Sequence, residues 1–162
     1  MEIKDILIES CPSARFIGKC YGTEKADWAE FWANGWFDTL ENHHNLLSIN
    51  ANGYSELIRS VNSQPEHWLG MFFAKNTTVP DGFECVDIPP MEYAVCYLYG
   101  DPNNGELFNS VAHEQCLEAL QRQGLKPKED DWCFQRCNCP RFTTADSQGN
   151  VILDYGISIS KN

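Results

Sequence analysis

Positive charge is what this sequence has least of. Twelve Lys and Arg stand against 23 Asp and Glu, for a formal net charge of -11 and a pI near 4.6. Such a chain repels a phosphate backbone, so no nucleic-acid partner is expected, and acids scattered over solvated faces account for most of the charge. Long apolar runs are missing as well. No stretch approaches the roughly 20 apolar residues that cross a bilayer, and the opening MEIKDILIES alternates charged and aliphatic residues where a signal peptide would place a basic start and an apolar run. A cytoplasmic protein without a membrane partner is the expectation. A Gly-rich phosphate loop, HExxH and Gly-x-Ser-x-Gly are absent, which removes the enzyme classes those motifs mark.

What is present is enough apolar material, 43% of 162 residues, for one domain spanning 1–162. Arg15 to Tyr21 reads as a strand ending at Gly22, with Thr23, Glu24 and Asp27 opening a helix. Trp28, Phe31, Trp32, Gly35, Trp36 and Leu40 fall three and four apart, one aromatic stripe on one helix. A polar passage follows from Asn42 to Gln64, with a short helix expected around Tyr54 to Val61. His67 to Ala74 and Gly82 to Ile88 read as strands joined by a turn through Pro80, Asp81 and Gly82, and Pro89-Pro90 closes the unit.

The pattern then recurs. Glu92 to Tyr99 is a strand that again ends in Tyr-Gly, followed by a turn and a helix carrying Phe108, Ala112, Cys116, Ala119 and Leu120, stopped by Gly124. Trp132 to Asn138 and Val151 to Ile159 close it as two strands. The expected architecture is α+β: two tandem β-α-β-β repeats, about 14–89 and 91–160, with a mostly antiparallel sheet and a ligand groove between them.

Aromatic residues are the first candidates for chemistry. Trp28, Trp32 and Trp36 could wall a pocket for a flat ligand, although a Trp stripe at helical spacing is also what a buried helix face looks like. Trp68, Met71 and Phe73, with Tyr97 and Tyr99 nearby in the pattern, are balanced between pocket wall and core. In WCFQRCNCPRF, strand alternation places Cys133, Gln135, Cys137 and Cys139 on one face. A zinc site would need a second pair of ligands, for which only His113 and Cys116 offer themselves, and no metal is expected. A nucleophilic Cys137 or Cys139 would need a nearby cation or imidazole. The eight cysteines sit mostly in apolar stretches and are read as reduced thiols.

WCFQRCNCPRFTTADSQGNVILDYGISI, taken with RFIGKCYG, HWLGMFF, VPDGFECVDIP and YAVCYLYG, resembles the GyrI-like family, also called the AraC effector-binding domain, from about Phe16 to Ile159. The resemblance implies small-molecule binding in the groove between the two halves and no cofactor. It further implies a stand-alone member, since a helix-turn-helix segment precedes the domain in the family's regulators. Some stand-alone relatives with a CPRFTT-type ending hydrolyse the cyclopropane of spirocyclic DNA-alkylating antibiotics, and some relatives are directed at gyrase as a protein partner. Many relatives carry Glu-x-Tyr where this sequence has Gln135-Arg136-Cys137. A neutral amide neither balances a buried cation nor takes a proton from water near neutral pH, so weaker binding of lipophilic cations and weaker hydrolysis are expected, unless Glu92 or Asp154 supplies a carboxylate. The preferred expectation is a non-catalytic or weakly catalytic binder of flat hydrophobic compounds, with walls from Trp32, Trp36, Trp68, Met71, Phe73 and Tyr97 and with Gln135 and Cys137 at the floor of its pocket. The alternatives are the hydrolase, with a water positioned by Gln135, and a protein-binding regulator.

Overall fold

Residues 1–48 and 53–160 are described by the computed structural model. Residues 49–52, inside the polar passage, lie outside them. The chain runs β1 (Glu2–Cys11), β2 (Ala14–Gly22), α1 (Trp28–Ala33), α2 (Trp36–Glu41), β3 (Gly53–Val61), β4 (Gln64–Ala74), β5 (Glu84–Ile88), β6 (Met91–Gly100), α3 (Ser110–Arg122), β7 (Cys133–Asn138) and β8 (Val151–Ile159). The strands form one sheet in the order β1-β6-β8-β7-β3-β4-β2-β5, with every pairing antiparallel. The expected α+β fold is therefore present. The two halves meet at the β3–β7 pair, and each continues outward in matching fashion: β4, β2 and the edge strand β5 on one side, β8, β6 and the edge strand β1 on the other.

Three elements differ from the sequence reading. Tyr54 to Val61 is a strand, because Asn62 and Ser63, both at positive φ, make a two-residue hairpin turn that feeds it directly into β4. The single aromatic helix is two, because Asn34 caps α1 and Gly35, at φ 66°, restarts the chain as α2. The first residues, to which the sequence reading assigned no element, form the edge strand β1, paired along β6 with a register shift between Ile3 and Asp5.

Chain length dictates the sheet's shape. Cys11 and Ala14 end β1 and begin β2, which lie six strand spacings apart in the sheet order; flat, that is roughly 29 Å, at about 4.8 Å per spacing. Three residue steps reach at most about 11 Å. Ile88 and Met91 make the same short jump between β5 and β6, so the sheet must curl until its margins meet. All four of these residues fall in one buried cluster on the concave face, with Phe16, Phe72, Trp68, Tyr93, Trp132 and Phe134. The Phe16–Phe72 and Tyr93–Phe134 rings meet edge to face at 5.0 Å. Each ring buried there contributes about 1.5–3 kcal/mol. Arg136, only 3% exposed, is held on this face by Glu9 at 2.8 Å and Asp154 at 2.9 Å, which ties edge strand β1 to the middle of the sheet.

On the convex face, Phe31, Phe37 and Leu40 pack α1 and α2 onto Ile17, Leu69, Met71 and Phe73. Ala112, Cys116 and Leu120 pack α3 onto Ala94, Cys96, Leu98 and Leu153. The outer face of the seam between the two helical covers is left as a cleft. No helix among the described residues is long and apolar enough to cross a membrane.

Candidate functional site

Alternation on the two seam strands decides what faces the cleft. Glu56 and Gln135 are direct cross-strand partners, as are Tyr54 and Cys137, and these side chains point to the convex face, while Leu57 and Phe134 point inward. Glu56 is 8% exposed, yet it lines a cleft of about 470 Å³ with Trp28, Ile58, His67, Phe108 and Gln135, a size in the range of small-ligand sites. Each carboxylate oxygen has one protein partner: Trp28 Nε1 donates to Oε2 at 3.1 Å, and His67 Nδ1 lies 2.9 Å from Oε1. Trp28 is placed by the start of α1, where Asp27 accepts from the Glu30 amide at 2.8 Å. Lys25 stands exposed at the rim.

A carboxylate needs more than two hydrogen bonds to replace the water it loses on burial, so Glu56 retains capacity for a cationic or hydrogen-bonding guest. The remaining lining is aromatic and aliphatic, with Phe142 meeting Phe108 edge to face at 6.3 Å. The arrangement offers stacking surface on the walls and one negative charge at the floor.

The residues singled out from sequence divide sharply. Gln135 and Cys137 line the cleft. Burial, with Asp154 and Glu56 adding to it, pushes the Cys137 thiol up to about 12, so it sits there as an apolar group rather than a nucleophile. Met71 and Phe73 are fully buried beneath α1 and α2, and Trp68 lies in the concave-face core. Tyr97 is also on the concave side, its ring 4.7 Å from the Arg141 guanidinium. Trp36 packs on Phe31 and under Lys19, and Trp32, 46% exposed, rests on Phe37 and Tyr54 outside the cleft. Asp154 is bound to Arg136 and Arg141 on the face away from the cleft, and Glu92 lies at the far end of β6 beside Met91. The cleft's carboxylate is neither of these. The sequence reading missed Glu56 because it gave β3 to a helix; with β3 as a strand, the alternation Tyr54, Glu56, Ile58 marks one acid on an otherwise apolar face. Among the described residues no three His, Cys, Asp or Glu side chains are grouped to hold a metal ion.

No protein-family model matches the chain, and no curated protein matches it in sequence. Its fold is shared with solved structures. One is SAV2435 bound to tetraphenylphosphonium, at a TM-score of 0.70 and 10% identity over 96% of this chain and 94% of that one. Another is a protein described as a candidate bacterial transcription regulator from Staphylococcus aureus MU50, at 0.66 and 11% over 97% of this chain and 99% of that one. At such identities the likeness is one of fold.

Proposed function

We propose that the chain is a single GyrI-like binding domain whose cleft takes aromatic small molecules carrying a delocalised positive charge. The observation that carries this reading is Glu56, a buried carboxylate at the floor of an aromatic cleft whose side-chain partners among the described residues are Trp28 and His67, with no Lys or Arg bonded to it. The fold supports it, since SAV2435 has been solved with tetraphenylphosphonium. The loss of cation affinity expected from Gln135 is offset by Glu56, which faces it across the seam.

The test is a calorimetric and fluorescence titration with tetraphenylphosphonium and the neutral triphenylphosphine oxide. Glu56→Gln should weaken the cation about 10- to 100-fold, roughly 1.4–2.7 kcal/mol, and leave the neutral compound within a factor of about two. Quenching should vanish in Trp28→Phe, the one tryptophan of five in the cleft lining. Equal affinity of wild type and Glu56→Gln for the cation would sink the reading.

A hydrolytic role is the second reading, favoured by the His67–Glu56 pair. An imidazole fixed by a carboxylate at Nδ1 can take a proton from water at Nε2. The water oxygen would bond to a cyclopropane methylene carbon, the electron pair of the broken ring bond would pass into the conjugated dienone, and the proton would end on the phenolate oxygen so formed. Incubation with a spirocyclopropane alkylator should then give a product heavier by one water, and only with His67 intact.

A further inference from the structure

The cleft does not end at Gln135. A second cavity of about 790 Å³ continues from it toward α3, sharing Ile58, Phe108 and Gln135 as common wall. Its chemistry is different. No buried carboxylate faces it; its buried polar feature is a hydrogen-bonded pair, His113 Nδ1 and the Tyr155 hydroxyl, 2.9 Å apart. The acids at its mouth, Glu129 and Asp130, are exposed, and Asp131 is engaged by Lys128 at 3.7 Å and by the Trp132 amide.

The imidazole's tautomer is tied to the direction of that hydrogen bond. Burial holds the Tyr155 phenol in its protonated form and His113 below the ordinary histidine range, so at neutral pH both are uncharged. The phenol has one proton to give, and among the described residues His113 is its only hydrogen-bond partner. With the phenol donating that proton to Nδ1, the ring proton resides on Nε2. No described residue accepts from Nε2, and His113 lines the cavity.

We infer that the His113–Tyr155 pair makes the second cavity a subsite for a neutral hydrogen-bond acceptor, so the preferred ligand is elongated: an aromatic cation over Glu56 joined, beneath Phe108, to an amide, ester or ether oxygen that accepts from His113 Nε2. The inference rests on the binding reading above and adds the second half of the ligand to it. Phe108, on the wall common to both cavities, is the ring such a linker must pass.

The probe is a matched pair of N-alkyl acridiniums with chains of equal length, one ending in a primary amide and the other in a plain alkyl group. Wild type should prefer the amide about fivefold, the usual yield of one net hydrogen bond. His113→Phe should abolish the preference and bind the two compounds equally. Long-range proton–nitrogen NMR of the unliganded protein should show His113 protonated at Nε2, and Tyr155→Phe should allow the proton to redistribute to Nδ1. A ring protonated at Nδ1 in wild type, or an amide preference that survives His113→Phe, overturns the inference. If both acridiniums bind equally to wild type and both depend on Glu56, the second subsite fails and the cation reading stands. If neither binds, both fall.

Discussion

Single side chains in this cleft are chosen by which face of a strand they occupy, and the thiols show the consequence. Cys133 and Cys137 share the convex face of β7 with Gln135, where the surrounding side chains cover them, and burial raises each to about 12, leaving about one in ten thousand ionised at pH 8. Cys85 and Cys139 are exposed. Iodoacetamide at pH 8 should therefore alkylate Cys85 and Cys139 within minutes and leave Cys133 and Cys137 unmodified until the protein unfolds, as read by peptide mass spectrometry. Early labelling of Cys137 would contradict the burial. The same alternation made Gln135 and Cys137 legible from sequence as a shared face. It also made Tyr97 and Trp68 illegible as pocket or core, since a strand with bulky residues on both sides gives no sign of which side is covered. Gln135→Glu, in isolation a gain of negative charge, would set a second carboxylate directly opposite Glu56, and mutual repulsion would keep one of the two protonated.

Elements were legible where one face is apolar and the ends carry turn residues. Val151–Ile159 and the core stripe of α3 at Ala112, Cys116 and Leu120 match the reading. β1 does not alternate cleanly, because its register shift puts Ile3 and Ile6 together against the α3 cluster while Glu9 and Cys11 face the other side of the sheet. β3 was hidden by polar residues on both faces, with Ser55 and Arg59 inward and Glu56 outward. Close approach between strands supplies a test at this scale. A Cβ on Gly18 would lie 1.9 Å from the Leu69 carbonyl oxygen, and one on Gly156 would lie 2.2 Å from the Phe134 ring. A ring can shift and a paired backbone cannot. Gly156→Ala should cost about 1–3 kcal/mol and be partly rescued by Phe134→Leu, while Gly18→Ala should cost more and find no such rescue. Urea unfolding of the three variants and the double variant reads both quantities. Equal losses, or no coupling between Gly156 and Phe134, would show that the approach is softer than the geometry indicates.

For the molecule as a whole, the order of the second repeat was legible, while the first reads with His67 to Ala74 and Gly82 to Ile88 as its strand pair where the sheet pairs β3 with β4 and leaves β5 as an edge strand. The curl was not legible, because two short connectors between distant strands mean nothing until the strand order is known. Once it is known, Cys11 to Ala14 and Ile88 to Met91 act as drawstrings that close the concave side over its aromatic filling. A bent sheet has one curvature and two faces. Thinning the filling lets it bend further, which splays the helices apart on the convex side, and thickening it does the opposite. Phe134→Leu should then raise the affinity for tetraphenylphosphonium relative to slimmer cations such as N-methylacridinium, measured as a ratio so that changes in stability cancel; an unchanged ratio would mean the two faces are mechanically independent. If they are coupled, the aperture has a tuning screw on its reverse, and the size of guest admitted can drift through residues that never touch one.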